Sequence, residues 1–113
     1  MDKQYYKWIE DGLSYEGMNY SYYIEDGSRI QYSLDDNVIT RVNIWINKNN
    51  RTHLHRLSGY DNDCLNLINT MYLSCGDIDV IRGMFTYRYK ELLNDNDEKY
   101  CIMYYYNSER KDK

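Results

Sequence analysis

His53 and His55, set one residue apart in the run Arg51 to Leu57, are the first side chains whose type and spacing could do chemistry. On a strand, residues i and i+2 share a face, so two imidazoles placed this way could hold two corners of a metal site. Such a site needs a third ligand. Asp61 and Asp63 are the nearest acids, but nothing in their spacing directs them to the pair. Cys64 could act as a nucleophile with either histidine. A helix N-terminus there would favour the thiolate, while Asp61 and Asp63 would oppose it. No Gly-rich phosphate loop, nucleophile elbow or HExxH zinc motif occurs. The expectation is a protein that is not an enzyme, with no catalytic residue, metal or cofactor.

Binding chemistry is better represented. Arg41, Asn43 and Trp45 alternate with Val42, Ile44 and Ile46, and a hairpin turn at Lys48-Asn49-Asn50 leads back through Arg51, His53 and His55. A loop of three residues sets Ile46 opposite Thr52, Ile44 opposite Leu54 and Val42 opposite Arg56. Trp45 then stands beside His53, and Asn43 beside His55. The six residues Arg41, Asn43, Trp45, Arg51, His53 and His55 would form one outer face of rings and donors. Trp and Arg dominate protein interfaces, so a protein partner is expected there. Single-stranded nucleic acid or a nucleotide is the alternative ligand for the same residues.

A second alternative uses the acids. Asp35-Asp36, Asp61/Asp63, Asp77/Asp79 and Asp95/Asp97/Glu98 recur at predicted turns and helix starts. Backbone capping accounts for Asp at such places. Converging on one edge, the same acids could imitate a phosphate row and occupy a basic groove as a nucleic-acid mimic.

These residues must be positioned by a small α+β fold. The spacing of Tyr5, Trp8, Ile9 and Leu13 predicts a short helix that stops at Gly12. Alternation then predicts an antiparallel meander of four strands, Tyr20–Glu25, Arg29–Leu34, Val38–Ile46 and Arg51–Leu57. The first loop, Asp26-Gly27-Ser28, pairs Ile24 with Ile30, Tyr22 with Tyr32 and Tyr20 with Leu34. Continued parity sets Tyr32 against Thr40 and Ile30 against Val42. Leu65, Ile68, Met71, Tyr72 and Cys75 predict a helix over Asp61–Cys75, ended by Gly76. Residues 77–93 read either as a third helix capped by Asp77 or as a strand after Gly83; the alternation of Phe85, Tyr87 and Tyr89 selects the strand. Lys99–Asn107 reads as a last strand with two apolar faces, either inside the sheet or paired across a homodimer through Tyr100, Ile102, Tyr104 and Tyr106. Ser108–Lys113 reads as a frayed polar tail.

At 113 residues the chain is sized for one domain. Its 15 Tyr against a single Phe put hydroxyls on most of the aromatic bulk. The net charge of −4 argues against a general phosphate-backbone binder. Proline and alanine are absent while Asn, Asp, Ile, Lys and Tyr abound, as an AT-rich coding sequence would give. That composition suits a virus, a phage, a mobile element or a low-GC organism. No apolar run reaches membrane-spanning or signal-peptide length. Cys64, Cys75 and Cys101 form no CxxC pair and read as small core residues of a reducing cytoplasm.

Overall fold

The alternation in residues 38–46 has the physical consequence expected of it. Val42, Ile44 and Ile46 are buried in one apolar cluster with Ile30, Tyr32 and Ile39, so one face of a sheet is committed to the interior. A computed structural model describes residues 7–58 and 63–94. It contains β1 (Trp8–Ser14), β2 (Gly17–Tyr23), β3 (Arg29–Asp35), β4 (Val38–Lys48), β5 (Arg51–Ser58), α1 (Asp63–Cys75) and α2 (Ile78–Asn94). The strands form one antiparallel sheet in the order β1-β2-β3-β4-β5. Leu65 and Ile68 of α1, with Ile81, Phe85, Tyr89 and Leu92 of α2, complete the apolar cluster. The expected α+β class with an antiparallel meander is the fold observed.

Two elements differ in kind from the sequence expectation. Residues 8–14 form a strand, not a helix: Trp8 pairs with Tyr22 and Glu10 with Tyr20 before a bulge reaches Leu13 opposite Met18. The helical spacing was misleading because Trp8 packs against the core while Ile9 and Leu13 stay exposed. Residues 78–94 form helix α2, not a strand. Phe85 and Tyr89, four residues apart, are buried, while Tyr87 between them is 46% exposed; burial follows the helical period and the alternation was coincidental. Asp77 caps this helix, its Oδ1 accepting from the Asp79 N–H at 2.9 Å. Helix α1 stops as expected: Gly76 has φ 67° and its N–H donates to the Tyr72 carbonyl at 2.8 Å. The predicted strand over residues 99–107, its dimer contacts, the tail and Asp61 lie outside the described residues.

Turn geometry sets the registers. Asp36-Asn37 and Asn49-Asn50 have φ of 52°, 66°, 56° and 62°, the left-handed pairs that two-residue hairpin turns require. The β4–β5 turn therefore has two residues, not three, and Ile46 faces His53, Ile44 faces His55, Trp45 faces Leu54 and Val42 faces Leu57. Between β3 and β4 Tyr32 pairs with Val42 and Ile30 with Ile44, and a bulge at Thr40 then brings Ile39 opposite Leu34. The β2–β3 connection is longer than expected, so Tyr22 pairs with Ile30 and Tyr20 with Tyr32. That shift of two preserves the faces; the shift of one in β5 reverses them.

Three contacts lock the layers. Asn69 of α1 accepts from the Ile39 N–H at 2.8 Å and donates to the Ile39 carbonyl at 2.9 Å. The Tyr89 hydroxyl of α2 donates to Asp26 Oδ2 at 2.8 Å. Arg82 lies within 5.2–5.4 Å of the ring centres of Trp8, Tyr20 and Tyr32 and donates to the Tyr32 hydroxyl at 2.8 Å. Burial pushes the Tyr32 hydroxyl up to about 12, against the opposing pull of Arg82. Cys75 is an exposed free thiol, not the small core residue expected of it. Cys101 lies outside the described residues. No helix among the described residues is long and apolar enough to cross a membrane.

Candidate binding face

Both helices pack on the face that carries Ile30, Tyr32, Val42 and Ile44. The opposite face alternates with it and is built from Asn19, Ser21 and Tyr23 of β2, Arg29, Gln31 and Ser33 of β3, and Arg41, Asn43 and Trp45 of β4. The register aligns these into three rows across the sheet: Tyr23, Arg29, Trp45; Ser21, Gln31, Asn43; and Asn19, Ser33, Arg41. No apolar core lies over these rows among the described residues, yet Ser21, Ser33, Asn19, Gln31 and Asn43 are all buried. Buried polar groups need partners, and here they find them in one another.

In the middle row Asn43 Nδ2 donates to Gln31 Oε1 and Gln31 Nε2 to Ser21 Oγ, both at 3.4 Å, and Ser21 Oγ donates to Asp11 Oδ2 at 2.7 Å. Every donor in this chain is directed toward Asp11, which the β1 bulge carries to the outer face. Tyr23 OH donates to the same Asp11 oxygen at 2.8 Å. The bonds from Ser21 and Tyr23, with the Arg29 charge nearby, hold the Asp11 carboxyl below its ordinary range. At the other end of the chain the Asn43 Oδ1 has no hydrogen-bond partner, although the residue is only 3% exposed.

The flanking rows supply charge and rings. The Arg29 guanidinium lies 3.9 Å from the centre of the Trp45 ring and 5.7 Å from that of Tyr23, and 4.0 Å from Asp11. Across the face, Arg41 Nη2 donates to Asn19 Oδ1 at 3.1 Å and to Ser33 Oγ at 3.2 Å. Arg41 Nη1 stands 2.8 Å from Glu16 Oε1. Stacking on Trp45 holds the Arg29 guanidinium, and the Nη2 bonds to Asn19 and Ser33 with the Glu16 charge hold that of Arg41.

Of the six residues expected on one face, the structure keeps Arg41, Asn43 and Trp45 together and removes Arg51, His53 and His55. The reversed register of β5 puts His53 and His55 opposite Ile46 and Ile44, on the helix-bearing side of the sheet. Arg51 faces Lys48 beside the turn. Trp45 has Leu54 as its neighbour, and Asn43 has Arg56. Among the described residues no three His, Cys, Asp or Glu side chains gather as metal ligands. Of the acids considered as a phosphate-like row, Asp35 and Asp36 serve a hairpin turn and Asp77 caps a helix, while Asp61, Asp95, Asp97 and Glu98 lie outside the described residues.

Sequence reasoning missed Asp11, Glu16, Tyr23, Arg29 and Gln31 as members of this face. Tyr23, Arg29 and Gln31 were within reach, since they hold the same parity as the polar positions of β4. Asp11 and Glu16 were hidden by the helical reading of the first residues. Compared with known proteins, the chain matches no family model, no curated protein and no solved structure.

Proposed function

We propose that the chain is a small binding protein with no catalytic role of its own. It takes a partner protein on the outer sheet face around Arg41, Asn43 and Trp45, as an accessory factor of a virus, a phage or another mobile element that occupies a host protein. The observation that carries this reading is the polarised chain from Asn43 to Asp11. Its donors all run one way and its head, Asn43 Oδ1, is a buried acceptor without a donor. Leaving such a group unmet costs about 1–3 kcal/mol; because the atom is shielded from solvent, an N–H or O–H group of a partner removes that cost only by displacing the side chains that cover it. Tyr23, Arg29 and Trp45 beside it are of the residue types that anchor interfaces, already held by stacking, so little side-chain entropy is lost on binding.

Charge favours a protein over a nucleic acid as the occupant. Arg29 and Arg41 are each matched by a carboxylate of this chain, Asp11 and Glu16, so the face offers little surplus to neutralise phosphates. Salt separates the two. The complex recovered from host extract is expected to persist between about 50 and 200 mM salt, over which phosphate-driven binding falls steeply. Recovery of RNA or DNA without a specific protein, lost at the higher salt, overturns the proposal.

A further inference from the structure

At one end of the sheet, the β1–β2 turn, the start of β4 and the first turns of α1 enclose a cavity of about 340 Å³. That is near the lower limit of ligand pockets, roughly 300–1,000 Å³, and suits one side chain better than a cofactor. Val38, Ile39 and Leu65 give it apolar walls. Tyr15, 93% exposed at the turn, stands at its edge. Glu16 and Asp35 are its charged lining residues among the described residues, with no Lys, Arg or His among them. Asp36 follows Asp35 in the adjoining turn and Asp63 opens α1, so the surroundings reinforce the negative field. The double hydrogen bond of Asn69 to the Ile39 backbone ties α1 to β4 across the cavity wall, which makes the space preformed.

We propose that this cavity is a socket for one arginine side chain of the bound protein. An arginine has an apolar stem for Val38 and Leu65, a planar head that stacks on a tyrosine, and paired donors that match carboxylates. Glu16 already pairs by charge with one guanidinium of this chain, its Oε1 lying 2.8 Å from Arg41 Nη1, and that oxygen has no hydrogen-bond partner of its own. A carboxylate accepts at both oxygens, so Glu16 can bridge Arg41 and a second guanidinium. Because Arg41 belongs to the outer sheet face, the socket continues that face around the end of the sheet. The inference rests on the proposed function only in naming a partner protein as the source of the arginine.

The test uses butylguanidinium, an analogue of the arginine side chain, and its neutral isostere butylurea, each titrated into the full chain and followed by amide NMR shifts. Butylguanidinium is expected to shift the signals of Val38, Thr40, Leu65 and Asn69 saturably. Butylurea, and butylguanidinium against Asp35→Asn, are expected to bind about fivefold or more weakly, because the charge-assisted bonds are lost. Equal affinity for the two probes, or saturable shifts absent from these four signals, overturns the socket. Neither probe needs the partner: a Trp45→Ala variant that loses the partner but keeps the butylguanidinium response leaves the socket standing with arginine as its ligand. Normal partner binding by a chain with no butylguanidinium response removes the socket and leaves the outer face.

Discussion

The two faces of the one sheet solve opposite problems. The inner face carries Ile30, Tyr32, Val42, Ile44 and Ile46 under two helices, and its burial is hydrophobic and indifferent to direction. The outer face carries Ser21, Gln31, Ser33 and Asn43, equally removed from water but dependent on donors and acceptors meeting one another. Fully matched, such a network is tolerated; here Asn43 Oδ1, Glu16 Oε1 and Arg41 Nε are unmet, a cost that the inner face must offset. Under the proposed function, stability and recognition lie on opposite sides of a single layer of backbone, and substitutions on the two faces should separate them in measurement.

The largest effect is expected inside. Phe85→Ala, at a position with no exposure, should lower unfolding stability by about 3–5 kcal/mol, measured by denaturant titration. A loss of less than about 1 kcal/mol would mean that α2 does not hold the core as described. Next is Gly17→Ala. Its φ is 113° and an added Cβ would run into the Leu34 carbonyl, so a loss of more than about 1 kcal/mol is expected.

Alkali tests the same interior through Tyr32. Its folded pKa is raised from 10.0 to about 12, so the neutral hydroxyl is favoured by folding. The contribution is complete below pH 10 and is lost as pH rises through about 12. Thermal unfolding of Tyr32→Phe should therefore fall less steeply over that interval than that of the parent chain; parallel curves would contradict the assignment. Acid tests the outer face, with a smaller effect. The Asp11 carboxyl is held below 3.8 by the Ser21 and Tyr23 bonds, so its contribution is present above that pH and fades as pH falls through the lowered folded value. Asp11→Asn should flatten this part of the acid limb, and an unchanged limb would count against the Ser21–Asp11 bond.

How much of this was legible from the chain depends on where polar residues mark the parity. In β4 Arg41 and Asn43 punctuate Val42, Ile44 and Ile46, and the face assignment follows directly. In β5 Leu54 and Leu57 lie on opposite parities, so burial of leucine could not choose between a turn of two residues and one of three. The choice fell to Asn49 and Asn50, both of which adopt positive φ, and it decided the fate of His53 and His55. The run Val38-Ile39-Thr40 is β-branched throughout and carries no mark of the bulge that turns Ile39 inward. Residues 8–14 became a strand because Trp8 finds Tyr22 and Tyr32 at 5.2 and 5.3 Å, a tertiary reward that local spacing does not display. The outer network was legible in parity and illegible in its extent, since Asp11 joins it only once β1 is a strand.

The separation of the faces is tested most directly by one paired measurement on Trp45→Ala: its unfolding free energy, and its recovery of partner from host extract, each against the parent chain. Loss of the Arg29 stack is expected to lower stability by about 1 kcal/mol or less, while recovery of the partner falls by the equivalent of about 2 kcal/mol or more, as for an interface anchor. A folded Trp45→Ala chain that recovers its partner as well as the parent would contradict the account.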